Sequence, residues 1–311
     1  MTIESLLYSF CALFFSGCES PHLAEPLSAT QTSQGQQLIQ LNTDLVDEAS
    51  GLSASSYDNI LWMHNDSGSE AEIHAVNTAT GDVVQTVSLT NAESNDWEDM
   101  ARFQRNGKLW LLVADVGDNR AVRSNVTLYA LPEPKLEQAT ASVKTTINFR
   151  YEDGARDSEA VAVDSEDNTV WLLTKRDTPP RLYKLALQET TDIATAEFVT
   201  EVTTIPEPTA EDIEEDPYYG ELRSQPTAMS ISADGTQLMV TTYKDSYLYQ
   251  QHQNGWGAAL QQKPTLIDIP QMAQTEAGGF SKNGKAVWVA SEQLPTQLFH
   301  SPLPELPAKT Y

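Results

Sequence analysis

NDWEDMARFQRNGKLWLLVADVGDN, residues 95–119, decides the fold of this chain. Two short apolar runs, 100–103 and 108–113, flank Arg105-Asn106-Gly107. Asn-Gly is the strongest short-range signal of a β-hairpin, so the two runs are predicted to be antiparallel strands. Their pairing brings the acidic residues 96–99 close to the polar residues 115–119. Crowded carboxylates raise one another's pKa unless a cation neutralises them, which predicts a site at this end of the hairpin.

The same unit occurs four more times along the chain. Each copy has a polar residue that opens a small-apolar strand, a turn, and a second strand that begins with an aliphatic residue followed by Trp or Met. The opening residues are Glu48, Glu98, Glu159, Thr227 and Glu276, and the second strands carry Trp62, Trp110, Trp171, Met239 and Trp288. The two positions are 12 residues apart in four copies and 14 apart in the first. Each step between copies leaves room for two further strands, a pattern typical of a β-propeller.

We therefore predict an all-β propeller over residues 36–305, with five blades of four antiparallel strands. The last copy lacks a fourth strand, and the N-terminal strand 37–41 is predicted to supply it, which closes the ring and pairs both edges. A sixth blade would have to lie within 188–226. The acidic stretch 206–224 is predicted to be an insertion, either a solvated loop or a lid or partner-binding segment.

The first strand of each propeller blade lines the central channel, so the five opening residues are expected to form a ring at the channel mouth. The second strands end at the same face, where Asn65, Asp66 and Asp115 add oxygen ligands. A ring of glutamates is relieved by a hard cation, and Ca²⁺ is the expected ion. Zinc is disfavoured because the histidines at 22, 64, 74, 252 and 300 show no ligand spacing.

Other residues at the predicted mouth have two interpretations each. His64 precedes Asn65 and is a candidate general base, although a strand histidine is often simply packed and hydrogen-bonded. Lys175, Arg176 and Lys244 either bind an anionic substrate or neutralise the carboxylates.

The net charge limits the possible partners, and the N-terminal segment predicts the location. The formal charge of −25 disfavours nucleic acid and attracts cations. Residues 1–18 resemble a bacterial lipoprotein signal ending at Cys18, the predicted lipidation site, with 19–35 as a flexible tether and 306–311 as a C-terminal tail. We expect a monomer whose only membrane attachment is the lipid anchor. We expect it at the cell envelope, most simply at the outer membrane.

The motifs EASGL, HNDSG, DWEDMA, DVGDN and DSEAVAV resemble a group of largely uncharacterised bacterial secreted or lipid-anchored propellers. More remotely, the chain is similar to calcium-centred propellers, namely the gluconolactonase and paraoxonase group, the propeller phytases and the five-bladed apyrases. This resemblance implies a central Ca²⁺ that is structural or that activates an ester, lactone or phosphoester. It implies ligand roles for Glu48, Asn65, Asp66, Glu98, Asp115 and Glu159, and the ring adds Glu276.

Two functions follow as expectations. The first is a cell-envelope lipoprotein that binds a divalent cation and presents a ligand or partner surface. The second is a calcium-dependent hydrolase that uses the same face.

Overall fold

The computed structural model describes residues 35–304, which form 21 β-strands, two short α-helices and one 3₁₀ turn. The predicted signal segment with Cys18, the tether before residue 35 and the tail 306–311 lie outside the described residues. Within residues 35–304, no helix has the length and apolar character needed to cross a bilayer.

The strands follow one another along the chain in repeated groups of four. The first strand is β1 (Gln37–Gln40), and it is followed by β2 (Ala49–Ala54), β3 (Ile60–Asn65), β4 (Glu72–Asn77) and β5 (Val83–Thr90). The second group contains β6 (Trp97–Arg105), β7 (Lys108–Asp115), β8 (Val126–Pro132) and, after the short β9 (Thr140–Ser142), β10 (Thr145–Tyr151). The third contains β11 (Ser158–Asp164), β12 (Thr169–Thr174), β13 (Arg181–Ala186) and β14 (Ala194–Glu201). The fourth contains β15 (Pro226–Ile231), β16 (Gln237–Thr242), β17 (Ser246–Gln250) and β18 (Thr265–Ile267), and the last contains β19 (Thr275–Phe280), β20 (Ala286–Ser291) and β21 (Gln297–Pro302).

Antiparallel pairing joins the strands of each group in chain order, so each group is a meander with one inner and one outer edge. The inner strands β2, β6, β11, β15 and β19 contact one another in sequence, and β19 returns to β2. This closed ring of inner strands confirms the predicted β-propeller. The second and third groups are also joined at their outer edges, where β10 pairs with β14 in parallel.

The N-terminal strand completes the last group, as predicted. β1 pairs antiparallel with β21, from Gln37 opposite His300 to Gln40 opposite Gln297. The resulting sheet has the order β1-β21-β20-β19, so residues from both ends of the described chain share one sheet. Between β13 and β15 the structure has the single strand β14, which belongs to the third group, and the region 188–226 therefore holds no further four-stranded group.

Turn chemistry explains why the hairpins form where they do. Asn59, Asn106 and Asn168 have φ of 58°, 53° and 57° at the turns between the first and second strands of their groups. Asparagine tolerates this left-handed region better than most residues, and glycine tolerates it without a steric penalty. Gly235 and Gly284, with φ of 68° and 69°, serve the two remaining hairpins.

The hydrophobic core lies between neighbouring groups. Trp62, Trp171 and Trp288 are each buried in a different inter-group cluster, and Trp110 packs against another. Burial of one such side chain contributes about 2–3 kcal/mol, so the recurrent tryptophans act as packing residues that hold successive groups together.

The predicted insertion contains α1 (Ala210–Glu215) and the 3₁₀ turn Gly220–Leu222. Thr209 caps α1 by a reciprocal capping box with Asp212. The second short helix, α2 (Trp256–Ala259), lies between β17 and β18. Because the insertion connects an outer strand, β14, to an inner strand, β15, it lies at the face where the inner strands begin.

Candidate functional site

A β-bulge at the start of every inner strand defines the ring at the channel mouth. In each of the five first hairpins the pairing register skips one residue near the beginning of the inner strand. The skipped residues are Ser50, Glu98, Glu159, Thr227 and Glu276. A bulge redirects the extra side chain away from the ladder, so these five positions are equivalent and face the same end of the propeller.

The prediction that Glu48 is the first member of the ring is wrong. Glu48 precedes β2 and is exposed, whereas Ser50 occupies the bulge and is buried. Ser50 lies 12 residues before Trp62, which is the spacing of the other four copies. The prediction chose the acidic residue Glu48 and so misaligned the first copy by two positions.

The two hydroxyl members of the ring bond to the backbone of the following group. Ser50 Oγ donates to the carbonyl oxygen of Glu98 at 2.5 Å, and Thr227 Oγ1 donates to that of Thr275 at 2.8 Å. These side chains tie neighbouring inner strands together. The ionisable members of the ring are thus the three buried glutamates Glu98, Glu159 and Glu276.

Carboxylates gather around Glu98 in two overlapping groups. Asp66, Asp96 and Glu98 each offer an oxygen within 4.8 Å of the others, and so do Glu98, Asp157 and Glu159. Asp66 and Asp96 are half-buried, whereas the other three are buried. The cluster therefore extends from the solvent-facing rim into the mouth of the channel.

Burial and mutual repulsion raise the pKa values of this cluster. Burial, followed by the charge of Glu159, raises the pKa of Glu98 well above its usual range. Burial and then the charge of Asp66 raise the pKa of Asp96 to about 6. Burial also raises the pKa of Asp66. Without a cation, these groups hold protons more tightly than free carboxylates do.

Lys175 balances the charge on the opposite side of the mouth. Its Nζ forms an ion pair with Glu159 and lies 3.9 Å from Glu276 Oε2, and it stands 4.7 Å from the centre of the Tyr243 ring. Burial raises the pKa of Glu276 to about 7, and the charge of Lys175 together with a hydrogen bond from Tyr243 limits that rise. The side chain predicted to bind substrate is thus engaged by two ring glutamates.

The other two predicted substrate-binding cations lie in different surroundings. Arg176 Nε is 2.6 Å from Asp157 Oδ2, and its guanidinium also donates to Asn119. Lys244 Nζ is 2.6 Å from Asp212 Oδ1 in the insertion. Arg176 therefore borders the carboxylate cluster, and Lys244 anchors α1.

Two of the predicted metal ligands, Asp115 and Asn65, are engaged by an ion pair or hydrogen bonds within the protein. Asp115 is fully buried, 2.6 Å from Arg123 Nη2, and it accepts a hydrogen bond from the Asn95 side chain at 3.0 Å. Asn65 donates from Nδ2 to the Leu45 carbonyl oxygen and to Asp47. Neither belongs to the two carboxylate groups around Glu98.

His64 is fully buried and packs against Trp97, with ring centroids 5.4 Å apart. Its Nδ1 donates to the Asn65 carbonyl oxygen at 2.9 Å. A Cβ at Gly51 would collide with the imidazole, so the ring fills the space that this glycine leaves. Burial lowers the pKa of His64 to about 4, which keeps the ring neutral. The catalytic role of His64 stays a prediction, and its packing gives that role no support.

Asp99 joins three inner strands from the centre of the ring. Its buried carboxylate accepts the backbone N–H groups of Met100 at 2.7 Å, Val161 at 2.7 Å and Met229 at 3.0 Å. These donors belong to β6, β11 and β15. Burial raises the pKa of Asp99 well above its usual range, and the three donors oppose that rise. Asp99 is a structural tie across the propeller axis.

Sequence reasoning did not assign Asp157, Ser50 and Tyr243 to the site, and it placed Asp96 in the acidic cluster without naming it as a ligand. The 12-residue spacing already pointed to Ser50, and Asp96 lies in the opening motif. Asp157 lies two residues before Glu159, as Asp96 does before Glu98, so this repeated spacing was a usable signal. Tyr243 carries no such signal because it meets Lys175 only through contact between the third and fourth groups.

The carboxylate cluster has the chemistry of a hard-cation site. Its donors are all oxygens, and among residues 35–304 no Lys, Arg or His forms an ion pair with Asp66, Asp96 or Glu98. Gly117 lies directly against this group, because a Cβ there would collide with Glu98 and Asp96. The glycine thus lets the loop after β7 approach the carboxylates closely.

No family model matches the chain, and no curated protein matches it. Among solved structures, it is similar to the WD40 repeats of RRP9 at 12% identity and a TM-score of 0.41, covering 82% of this chain and 67% of that one. It is also similar to the β-propeller domain of Myceliophteria thermophila Cps50 (Swd1), at 12% identity and a TM-score of 0.40, over 88% and 71% of the two chains. A nidogen/laminin complex matches at 10% identity and a TM-score of 0.44, over 78% and 72%. Likenesses of this size transfer no function, and the chain is a β-propeller by its own sheet topology.

Proposed function

We propose that this protein binds a divalent cation, Ca²⁺, at the mouth of its propeller and presents that face to a ligand or partner. The observation that carries the proposal is the group Asp66, Asp96 and Glu98, whose oxygens converge within 4.8 Å without a protein cation paired to them. Glu159 and Asp157 border the same space through Glu98. Among the predicted ligands, Asp66 and Glu98 are thus retained. Glu159 borders the group through Glu98 but pairs with Lys175, and Glu48, Asn65, Asp115 and Glu276 have other partners or positions.

Calcium suits this group for two physical reasons. It takes six to eight oxygen ligands in flexible geometry, and carboxylates, backbone carbonyls and water all qualify. A divalent charge also offsets the repulsion that otherwise raises the pKa values of the buried carboxylates. The cation would therefore replace protons, and Ca²⁺ affinity should weaken as the pH falls through the pKa of Asp96, about 6.

A calcium-dependent hydrolase is the second candidate. The half-buried Asp66 and Asp96 place one side of the cluster at the solvent-facing rim. A cation bound by these residues would act there as a Lewis acid on the oxygen of an ester, lactone or phosphoester. Turnover of such substrates by the calcium-loaded protein distinguishes this candidate from a binding module.

The proposed location is the cell envelope, with Cys18 as the lipidation site. This part rests on the N-terminal sequence. The low isoelectric point of about 4.4 separately opposes nucleic-acid binding. Mass spectrometry of the full chain purified from membranes should find acylated Cys18 at the N-terminus. An unmodified mature N-terminus would contradict the anchor without affecting the cation site.

The cation proposal is tested by calcium titration calorimetry and thermal unfolding of the full chain after chelator treatment. We expect wild-type protein to bind Ca²⁺ and to unfold at a higher temperature when it is bound. Glu98→Gln should weaken binding by at least about tenfold, because it removes a charged ligand shared by both groups. Glu48→Gln is the matched control, since Glu48 is exposed, and it should bind as wild type does.

Absence of Ca²⁺ binding by the wild type, or equal losses in both variants, would refute the proposed site. Metal analysis of protein purified without added cations reports whether the site is filled in the cell. A panel of lactones, aryl esters, nucleotides and phytate, assayed with calcium and with chelator, tests the hydrolase candidate.

A further inference from the structure

A cavity of about 320 Å³ lies between the insertion and the loops of the last group. Asp216, Tyr219 and Leu222 of the insertion line one side, and Gln274 and Gln293 line the other. Tyr243 lines it as well, and the same ring faces Lys175 at the channel mouth. The cavity is therefore next to the carboxylate cluster but is formed by different residues.

Local ion pairs already neutralise the cations of this cavity. Arg223 Nη1 lies 2.9 Å from Asp212 Oδ1 and 2.9 Å from Glu215 Oε2, and Lys244 Nζ lies 2.6 Å from Asp212 Oδ1. Asp216 adds one more negative charge to the wall. No surplus positive charge is present to bind a phosphate or carboxylate, so the wall favours a ligand without negative charge.

The remaining lining combines flat apolar faces with amides. Tyr219 is 59% exposed, which leaves most of its ring free for a ligand. Gln274 and Gln293 hydrogen-bond to each other through their side chains. Each amide carries both a donor and an acceptor, which is the pairing that a vicinal diol requires.

The backbone fixes these two glutamines in a costly conformation. Gln274 and Gln293 have φ of 45° and 77°, in the left-handed region that non-glycine residues rarely adopt. The Glu292 N–H donates to the Gln274 carbonyl oxygen at 2.9 Å, and the Gln293 N–H donates to that of Asp47 at 3.2 Å. Strain retained at two facing positions of a cavity wall is typical of functional sites.

We propose that this cavity binds a neutral sugar, as a monosaccharide or as the end of an oligosaccharide. The Tyr219 ring packs against the apolar face of the sugar, and the Gln274 and Gln293 amides and the Asp216 carboxylate bond to its hydroxyl groups. The volume lies at the lower end of the range for small-molecule pockets, which suits one or two sugar rings. The sugar is the ligand of the face described under the proposed function, but its binding does not require the cation.

The test is saturation-transfer NMR on the full chain with glucose, galactose, N-acetylglucosamine, maltose, cellobiose and chitobiose, followed by calorimetry of any sugar that gives a signal. Measurements are made with calcium and with chelator. We expect at least one sugar to bind under both conditions, and Glu98→Gln to retain that binding. This separates the sugar site from the cation site, because either can fail without the other.

Tyr219→Ala should reduce the affinity for that sugar at least tenfold. Tyr218→Ala is the matched control, because Tyr218 is 88% exposed and does not line the cavity, and it should bind as wild type does. Equal effects of the two variants would overturn the proposal. So would the absence of a signal from every sugar at a concentration tenfold above a Kd of about 1 mM. Displacement of the sugar signal by spermidine but not by a competing sugar would assign the cavity to cations instead.

Discussion

The two sides of the channel mouth have similar carboxylates but balance their charge differently. On one side, Lys175 pairs with Glu159 and approaches Glu276. On the other side, Asp66, Asp96 and Glu98 converge without a paired Lys, Arg or His among residues 35–304. A buried carboxylate needs a counter-charge or a proton. The comparison therefore shows that the protein supplies its own cation to one side only, and the proposed Ca²⁺ would supply the counter-charge on the other.

The largest expected effect comes from removing the internal cation. Lys175→Met leaves Glu159 and Glu276 buried without a counter-charge, which should lower the free energy of unfolding by about 3–5 kcal/mol in urea denaturation. Lys184→Met is the matched control, because Lys184 and Glu197 form a pair whose side chains are 47% and 63% exposed. That exposed pair should contribute less than about 1 kcal/mol.

Adding Glu159→Gln to Lys175→Met should recover part of the lost stability, since it removes one of the two unpaired charges. If Lys175→Met is no more destabilising than the Lys184 control, the two sides of the mouth do not differ as described.

Gly117→Ala tests the side without a protein cation. The added methyl group would displace Glu98 and Asp96, so we expect a loss of about 1–3 kcal/mol in unfolding free energy and weaker stabilisation by Ca²⁺. Gly107→Ala is the control, because a Cβ at Gly107 meets no atom within 4 Å, although its φ of 70° also strains alanine. It should cost about 1 kcal/mol and keep the full calcium response. The same calcium response in both variants would contradict the close approach at Gly117.

The pH dependence of stability sharpens the comparison further. Burial raises the pKa of Glu276 to about 7 and that of Asp96 to about 6. The folded state of the metal-free protein thus binds more protons than the unfolded state between about pH 4.5 and 7. Stability should therefore fall as the pH rises through this window, by on the order of 1–2 kcal/mol, after allowing for solvent screening at the half-buried Asp96.

Saturating Ca²⁺ should flatten this profile, because the cation stabilises the ionised carboxylates in the folded state. Thermal unfolding from pH 4.5 to 7.5, with and without calcium, checks both statements. A metal-free profile that rises with pH would show that these groups are ionised and balanced in the folded state.

The smallest effect is expected at Ser50, one of the two ring positions without charge. Ser50→Ala removes the hydrogen bond from Oγ to the Glu98 carbonyl oxygen and should cost about 1 kcal/mol of unfolding free energy. Calcium affinity should stay within about twofold of wild type, because Ser50 carries no charge. A large loss of affinity would mean that Ser50 is itself a ligand.

The prediction succeeded where the signal was local and repeated. The Asn-Gly turn, the short apolar strands and the recurrent tryptophans each predicted part of a hairpin, and the repetition of this unit predicted the propeller. The pairing of β1 with β21 followed from a strand missing in the last copy. Glu48 was misplaced because an acidic residue was preferred over the strict 12-residue spacing, which would have selected Ser50.

The sequence by itself determined the repeated hairpin, the face on which the acidic residues collect and the closure of the ring by the N-terminal strand, because strand period and turn chemistry act over a few residues. Only the tertiary structure decided which side chains meet at the mouth. Lys175, Tyr243 and Glu276 come from three different groups, and Asp99 reaches three inner strands at once. Such contacts depend on the bulges and on the relative rotation of neighbouring sheets, which no local pattern encodes.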